Sequence, residues 1–192
     1  MSRIGEVRRK TRETDVSVTL NLDGGPRDIA TGVGFFDHML TALAVHGGLG
    51  LTVRAQGDLD VDCHHTVEDV GIALGQALGQ ALGGKEGLRR YGSAYIPMDE
   101  ALGFCALDLS GRAFLVFSAA FPEERVGSFD SCMTGEFFRA LAVNAGVTLH
   151  LECRYGKNSH HMIEAVFKAF AHALREGAAV EGTEVLSSKG VL

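Results

Sequence analysis

The sequence predicts an α+β fold, internally duplicated, in which two similar half-domains pack their helices between two small β-sheets. Three observations predict it. The segment LTALAVHGGLGL at residues 40–51 returns as FRALAVNAGVTL at residues 138–149, an offset of 98. The segment HHTVEDVGIALGQAL from His64 returns as HHMIEAVFKAFAHAL from His160, an offset of 96. Each half reads as extended alternating runs interleaved with two amphipathic helices, and layers with one apolar side must bury it against one another.

The elements follow in order. Residues 13–24 (ETDVSVTLNLDG) align with residues 100–111 (EALGFCALDLSG) at an offset of 87. Val16, Val18, Leu20 and Leu22 alternate with polar residues, and the turn and second extended run beyond them predict a β-hairpin in each half. A helix follows at residues 36–46 and 136–144, then a strand such as the one carrying Val147, Leu149, Leu151 and Cys153. In the last helix Val70, Ala73, Leu74, Ala77, Leu78 and Ala81 hold a helical spacing, as do Ile163, Val166, Phe167, Phe170 and Leu174. Both helices bury one stripe. The extra residues of the second half fall in FPEERVGSFDS, read as a loop, and the two repeats span residues 10–90 and 97–178 of a single domain closed by an SSKG tail.

Composition excludes several partners. Hydrophobic residues are 46% and charged residues 22% of the 192, with no apolar run of the roughly 18 residues a membrane span needs. A net charge of −6 argues against binding a nucleic-acid backbone, which takes clustered Lys and Arg. The basic N-terminus is followed by no apolar stretch of a secretory kind, so a cytoplasmic address is expected. Cys63, Cys105, Cys132 and Cys153 are scattered and read as reduced thiols.

The chemistry lies in HHxxE, written twice. Positions i and i+4 of a helix lie about 40° apart, so His64 with Glu68, and His160 with Glu164, each share a face and can hold one ion. His65 and His161 sit about 100° around the axis and should serve a second ion. Imidazole nitrogen plus carboxylate, without thiolate, suits Mn, Fe, Co, Ni or Zn. The plainer reading makes these histidines surface residues at helix starts, where Asp, Asn and Ser are the usual occupants. Recurrence in register favours metal. His38 aligns with Glu136 across the repeat, and both residue types coordinate metals. His46, His150 and His172 have no duplicated partner and read as hydrogen-bonded or surface histidines, with His46 a candidate for lining the site.

GVGFFDHML, GDLDVDCHHTVEDVGIALG, PMDEAL, DLSGR, GKNSHHMIEAVFKAFAHALR and the terminal SSKG together resemble the imidazoleglycerol-phosphate dehydratase family over nearly the whole chain. The resemblance implies two Mn²⁺ ions per active site. One would take His38, His65, His160 and Glu164; the other would take His64, Glu68 and His161, with a fourth donor at Glu136, where many members carry His. It implies ligands shared between neighbouring chains of a homo-oligomer, a shell of twenty-four. It also places the substrate phosphate against Arg90, Arg112, Lys168, Ser187, Ser188 and Lys189. The implied reaction removes water from D-erythro-imidazoleglycerol phosphate through a metal-stabilised imidazolate, giving imidazole-acetol phosphate in histidine biosynthesis. Glu13 matches the family's active-site glutamate and is the expected acid or base, while its repeat partner Glu100, with Asp99, would orient ligands. Two other readings compete: a dinuclear metallohydrolase, and a non-enzymatic shell riveted by metal.

Overall fold

Small and apolar residues alternating with charged ones turn the first segments into antiparallel strands β1 (Ile4–Lys10) and β2 (Thr14–Asn21). The structure, a computed structural model, describes residues 3–190. Strand β3 (Arg27–Ala30), helix α1 (Gly34–Gly47), strand β4 (Gly50–Gly57) and helix α2 (His64–Leu82) complete the first half. The second half runs β5 (Tyr91–Met98), β6 (Ala101–Asp108), β7 (Phe114–Ser118), a short ribbon of β8 (Arg125–Val126) and β9 (Phe129–Asp130), α3 (Met133–Ala145), β10 (Thr148–Tyr155) and α4 (Ser159–Gly177). The sheets have orders β1-β2-β4-β3 and β5-β6-β10-β7, which are the same topology written twice.

Two expectations change. The segments 13–24 and 27–30 do not form a hairpin, because β4 enters between them, antiparallel to β2 and parallel to β3. The hairpin lies one strand earlier, between β1 and β2, and again between β5 and β6. Strand β1 carries Gly5, Val7 and Arg9 on one side, too little apolar surface to announce a strand. The segment read as a loop holds the β8–β9 ribbon.

Helix α2 lies on β1, β2 and β4, and α4 lies on β5 and β6 and touches β10; across the halves α2 meets α3 and α1 meets α4. The helices thus form an inner layer between two outer sheets, as the duplication predicts. Phe36, Phe137, Phe138, Phe167 and Phe170, at most 1% exposed, make its aromatic centre. Burying them removes the apolar surface that each half would otherwise expose to water.

The approach of helix to sheet is also duplicated. A Cβ on Gly5 would stand 1.9 Å from the Ala77 carbonyl oxygen, and one on Gly92 would stand 2.0 Å from that of Ala173. Helix backbone cannot yield as a flexible side chain does. Gly92→Ala is therefore expected to destabilise the fold by about 1–3 kcal/mol or more, read as a lower denaturant midpoint. An unchanged midpoint would show that the two layers separate freely.

Candidate metal centre

In both HHxxE helices a side chain two residues before the motif accepts from a histidine amide. The Asn158 side chain accepts from the His160 and His161 amides, capping α4. Asp62 accepts from the His64 amide at 2.7 Å. Both acceptors satisfy amides that a helix start leaves unpaired, although only Asn158 is the capping residue of its helix. The consecutive histidines then splay alike, with ring centroids 6.1 Å apart at 77° for His64 and His65, and 6.0 Å at 78° for His160 and His161.

One grouping is assembled within the chain. Helix α1 brings His38 to α4, so that Glu164 Oε2 lies 3.7 Å from His38 Nε2 and 3.3 Å from His160 Nε2. The three ligand atoms all lie within 4.8 Å of one another. Donors held about 2.0–2.2 Å from one ion stand no more than about 4.4 Å apart, and both histidine contacts of Glu164, at 3.7 and 3.3 Å, fall inside that span. Burial alone would raise the Glu164 pKa, but the hydrogen bond and charge of Lys168, with His38 and His160, outweigh it and hold the carboxyl below its ordinary value. Lys168 Nζ reaches the other oxygen, Oε1, at 2.7 Å.

The mirror grouping is looser. His64 Nε2 lies 3.9 Å from Glu68 Oε2, the same i, i+4 contact. Glu136 on α3 occupies the place that His38 holds on α1, yet its carboxylate is taken by Arg139, at 2.6 Å from Nη2. The same Nη2 donates to Glu68 Oε1 at 2.7 Å. Among the described residues, His38, His160 and Glu164 are the one set of three possible ligands this close.

The middle histidines turn elsewhere. His65 Nδ1 lies 3.0 Å from Asp58 Oδ2 and 3.9 Å from Glu13 Oε2. His161 Nδ1 lies 2.8 Å from Glu100 Oε2, and its Nε2 3.7 Å from Asp99. With Nδ1 engaged by a carboxylate, Nε2 is the nitrogen offered to an ion. The hydrogen bond to Asp58 raises the His65 pKa, with Glu13 adding to it. Glu100 accepts from His161 and from the Lys157 and Asn158 amides, which holds it at about 2.

That pair carries a pH signature in metal-free protein. Glu100 lies below its ordinary 4.5, and the Glu100 hydrogen bond raises His161 above its ordinary 6.5. The stabilisation is present in full between those two values; it is lost as acid protonates Glu100 toward about 2, and lost again as rising pH carries His161 through its raised pKa. The Tm difference between chelated wild type and Glu100→Gln should peak in that window and shrink on either side. A difference independent of pH would contradict the pairing.

The basic residues gather at the opposite end of α4. Buried Arg90 grips Asp108 through Nε at 2.6 Å and Nη2 at 2.9 Å, and its Nη1 reaches the Leu186 carbonyl at 2.5 Å. Its φ of 72° is unusual for a residue with a side chain and is held by the packing around it. Arg112 leans on the same Asp108 at 3.4 Å, so two guanidiniums share one carboxylate and leave excess positive charge. Leu186 leads into Ser187, Ser188 and Lys189, which make a turn closed by the Gly190 amide on the Ser187 carbonyl. Lys168 stands apart from this cluster. Gly177 on α4 accepts from the Arg90 amide, and Lys168 lies nine residues earlier, about 14 Å along the helix. His46 sits beside His172, ring nitrogens 3.3 Å apart, and burial with the charge of Lys168 lowers its pKa.

Reading the sequence missed Asp58, Asp108 and Arg139. Asp58 has no counterpart in the repeat, since the aligned residue is Gly156. Asp108 stood inside a recognisable segment, four residues before Arg112, and that spacing was its available signal. Arg139 follows Glu136 by three positions on one helix face, a spacing that favours an ion pair.

A duplicated α+β fold with helix-borne His–carboxylate groupings and an arginine-rich corner defines a metalloprotein suited to a small anionic substrate. Comparison narrows the class. The family model described as imidazoleglycerol-phosphate dehydratase matches residues 31–174. Relatives of that name include one from Symbiobacterium thermophilum, 59% identical over 99% of this chain and 93% of its own, and one from Clostridium kluyveri, 55% identical over 99% and 100%. The crystal structure of the Staphylococcus aureus dehydratase superposes with a TM-score of 0.85 at 43% identity, covering 92% of this chain and 99% of that one. The Pyrococcus furiosus enzyme in complex with (S)-C348 gives 0.85 at 36%, covering 97% and 100%. The chain belongs to the imidazoleglycerol-phosphate dehydratase family.

Proposed function

We infer that this chain dehydrates D-erythro-imidazoleglycerol phosphate to imidazole-acetol phosphate, a step of histidine biosynthesis. The observation that carries the inference is the convergence of His38, His160 and Glu164 in a chain of this family. The same grouping favours a metal-dependent lyase over a bare scaffold, because the guanidiniums near Asp108 add a place for the substrate's phosphate.

Manganese is the proposed metal, two ions per active site. His38, His160 and Glu164 would hold one with His65; His64 and Glu68 would hold the other with His161 and Glu136. Within one chain His65 and His161 face Asp58 and Glu100 rather than the groupings they would complete, which supports donation from a neighbouring copy. An ion bound between chains stabilises the assembly by mass action. The proposed homo-oligomer is the shell of twenty-four, and the proposed address is the cytoplasm. Among the described residues no helix is long and apolar enough to cross a membrane.

A divalent cation on a ring nitrogen lowers the pKa of the ring proton, as zinc does for its water. The chain's own residues do the rest. Arg90, Arg112, Ser187, Ser188 and Lys189 are assigned to the phosphate end; Lys168, about 14 Å from them within one chain, is assigned to reach it from a neighbouring copy, and His46 to line the site. Glu13 Oε2, beside His65, is assigned the proton transfers that accompany loss of the hydroxyl and of the neighbouring C–H proton. Its repeat partner Glu100 is kept ionised by two amides and His161, which suits orientation of a ligand and not proton exchange near neutrality.

Incubating the purified protein with imidazoleglycerol phosphate, with and without Mn²⁺, tests the reading. Metal-dependent formation of the ketone without release of inorganic phosphate is expected. Phosphate release in its place would identify a metallohydrolase.

A further inference from the structure

Each motif glutamate divides its two oxygens between a histidine side and a cation. Glu164 turns Oε2 to His38 and His160 and gives Oε1 to Lys168, one turn on along α4. Glu68 turns Oε2 to His64 and gives Oε1 to Arg139, which comes from α3. The repeat itself does not supply this likeness. The residue aligned with Lys168 is Ile72, and the residue aligned with Arg139 is Thr41. Both cations therefore belong to the second half, one on each of its helices, and each serves a different motif glutamate.

We propose that Arg139 is a positioning residue that does for Glu68 what Lys168 does for Glu164, ordering the second metal grouping by fixing one carboxylate oxygen and leaving the other to the ion. The inference rests on the metal reading given above. Arg139 also holds Glu136 through Nε and Nη2, at 2.7 and 2.6 Å, so a single guanidinium sets both carboxylates of that grouping. The planar fork of Arg is suited to this; a lone ammonium can replace only part of it.

Two effects of the guanidinium oppose each other. Its charge repels an incoming divalent ion, while its hydrogen bonds restrict the rotation of Glu68 and Glu136. Arg139 is 49% exposed, so solvent and salt screen the repulsion. Ordering then prevails, and loss of an outer hydrogen-bond partner of a metal ligand costs about 10–100-fold in affinity.

Mn²⁺ titration of chelator-stripped wild type, Arg139→Ala and Arg139→Lys, followed by electron paramagnetic resonance of the free ion, tests the proposal. Wild type should take up two equivalents per chain. In Arg139→Ala one equivalent should keep its affinity while the other weakens about 10–100-fold. Arg139→Lys should recover part of the loss, and the Tm of all three metal-free proteins should agree. Unchanged or tighter binding, equal weakening of both equivalents, lowered Tm without selective loss, or no recovery by Lys would overturn it. Failure of wild type to bind two equivalents would instead overturn the metal reading. If the Ala variant does not fold, Arg139→Gln, similar in length and uncharged, takes its place under the same criteria.

Discussion

Glu13→Gln is expected to lower kcat by about 10²–10⁴-fold, the range of a lost general acid or base, while leaving metal content and particle size unchanged. The amide keeps the size of the side chain but cannot exchange a proton. The surrounding turn should persist, because the Thr11 hydroxyl oxygen accepts from the Glu13 amide at 3.1 Å and from the Thr14 amide at 3.0 Å. The Thr14 hydroxyl in turn donates to buried Asp69. None of these contacts uses the Glu13 carboxylate. Steady-state kinetics with metal analysis of the same samples checks the result; a variant that keeps full kcat would remove Glu13 from the chemistry.

His160→Ala is expected to act on metal and assembly together. It deletes one of the three donors that converge within a chain, leaving Glu164 with Lys168 and His38. Removing a direct donor should cost at least as much as removing an outer partner, about 100-fold or more in affinity at that grouping. Because the ion is proposed to join chains, its loss should also move the protein to smaller particles by mass action. Size-exclusion chromatography with light scattering, at one protein concentration and with Mn²⁺ supplied, checks this outcome. A variant that stays fully assembled and metal-loaded would show that His160 is not a ligand.

Much of this was legible because the chain is duplicated. The second copy of HHxxE converted an ambiguous motif into a geometric statement, and the repeat singled out His38, which the fold brings beside His160 and Glu164. Helix periodicity was equally readable, since α2 and α4 bury stripes at i, i+3 and i+4. Strand partnership was not. Strand β1 presents only Gly5, Val7 and Arg9 inward, and Gly5 earns its place through a close approach to Ala77 that sequence alone does not display. The order β2-β4-β3 depends on contacts distant in sequence, so adjacent extended runs suggested a hairpin that β4 interrupts.

The site's partners divided along the same line. Residues acting through helix spacing were readable, as with Glu68 and Glu164. Residues acting from loops or neighbouring helices were hidden: Asp58 on His65, and Arg139 on Glu68. The two halves have diverged at these points, so symmetry gave no help. His161 is held by Glu100 of the β5–β6 turn, whereas His65 is held by Asp58, with the equivalent turn residue Glu13 farther off at 3.9 Å.

The most direct measurement is to return Mn²⁺ stepwise to chelator-treated protein while recording bound metal per chain, particle mass and dehydratase rate in each sample. The account predicts that all three rise together and level off at two ions per chain. A stripped protein that already turns over at the full rate, or that binds its ions with no change in mass, would contradict it.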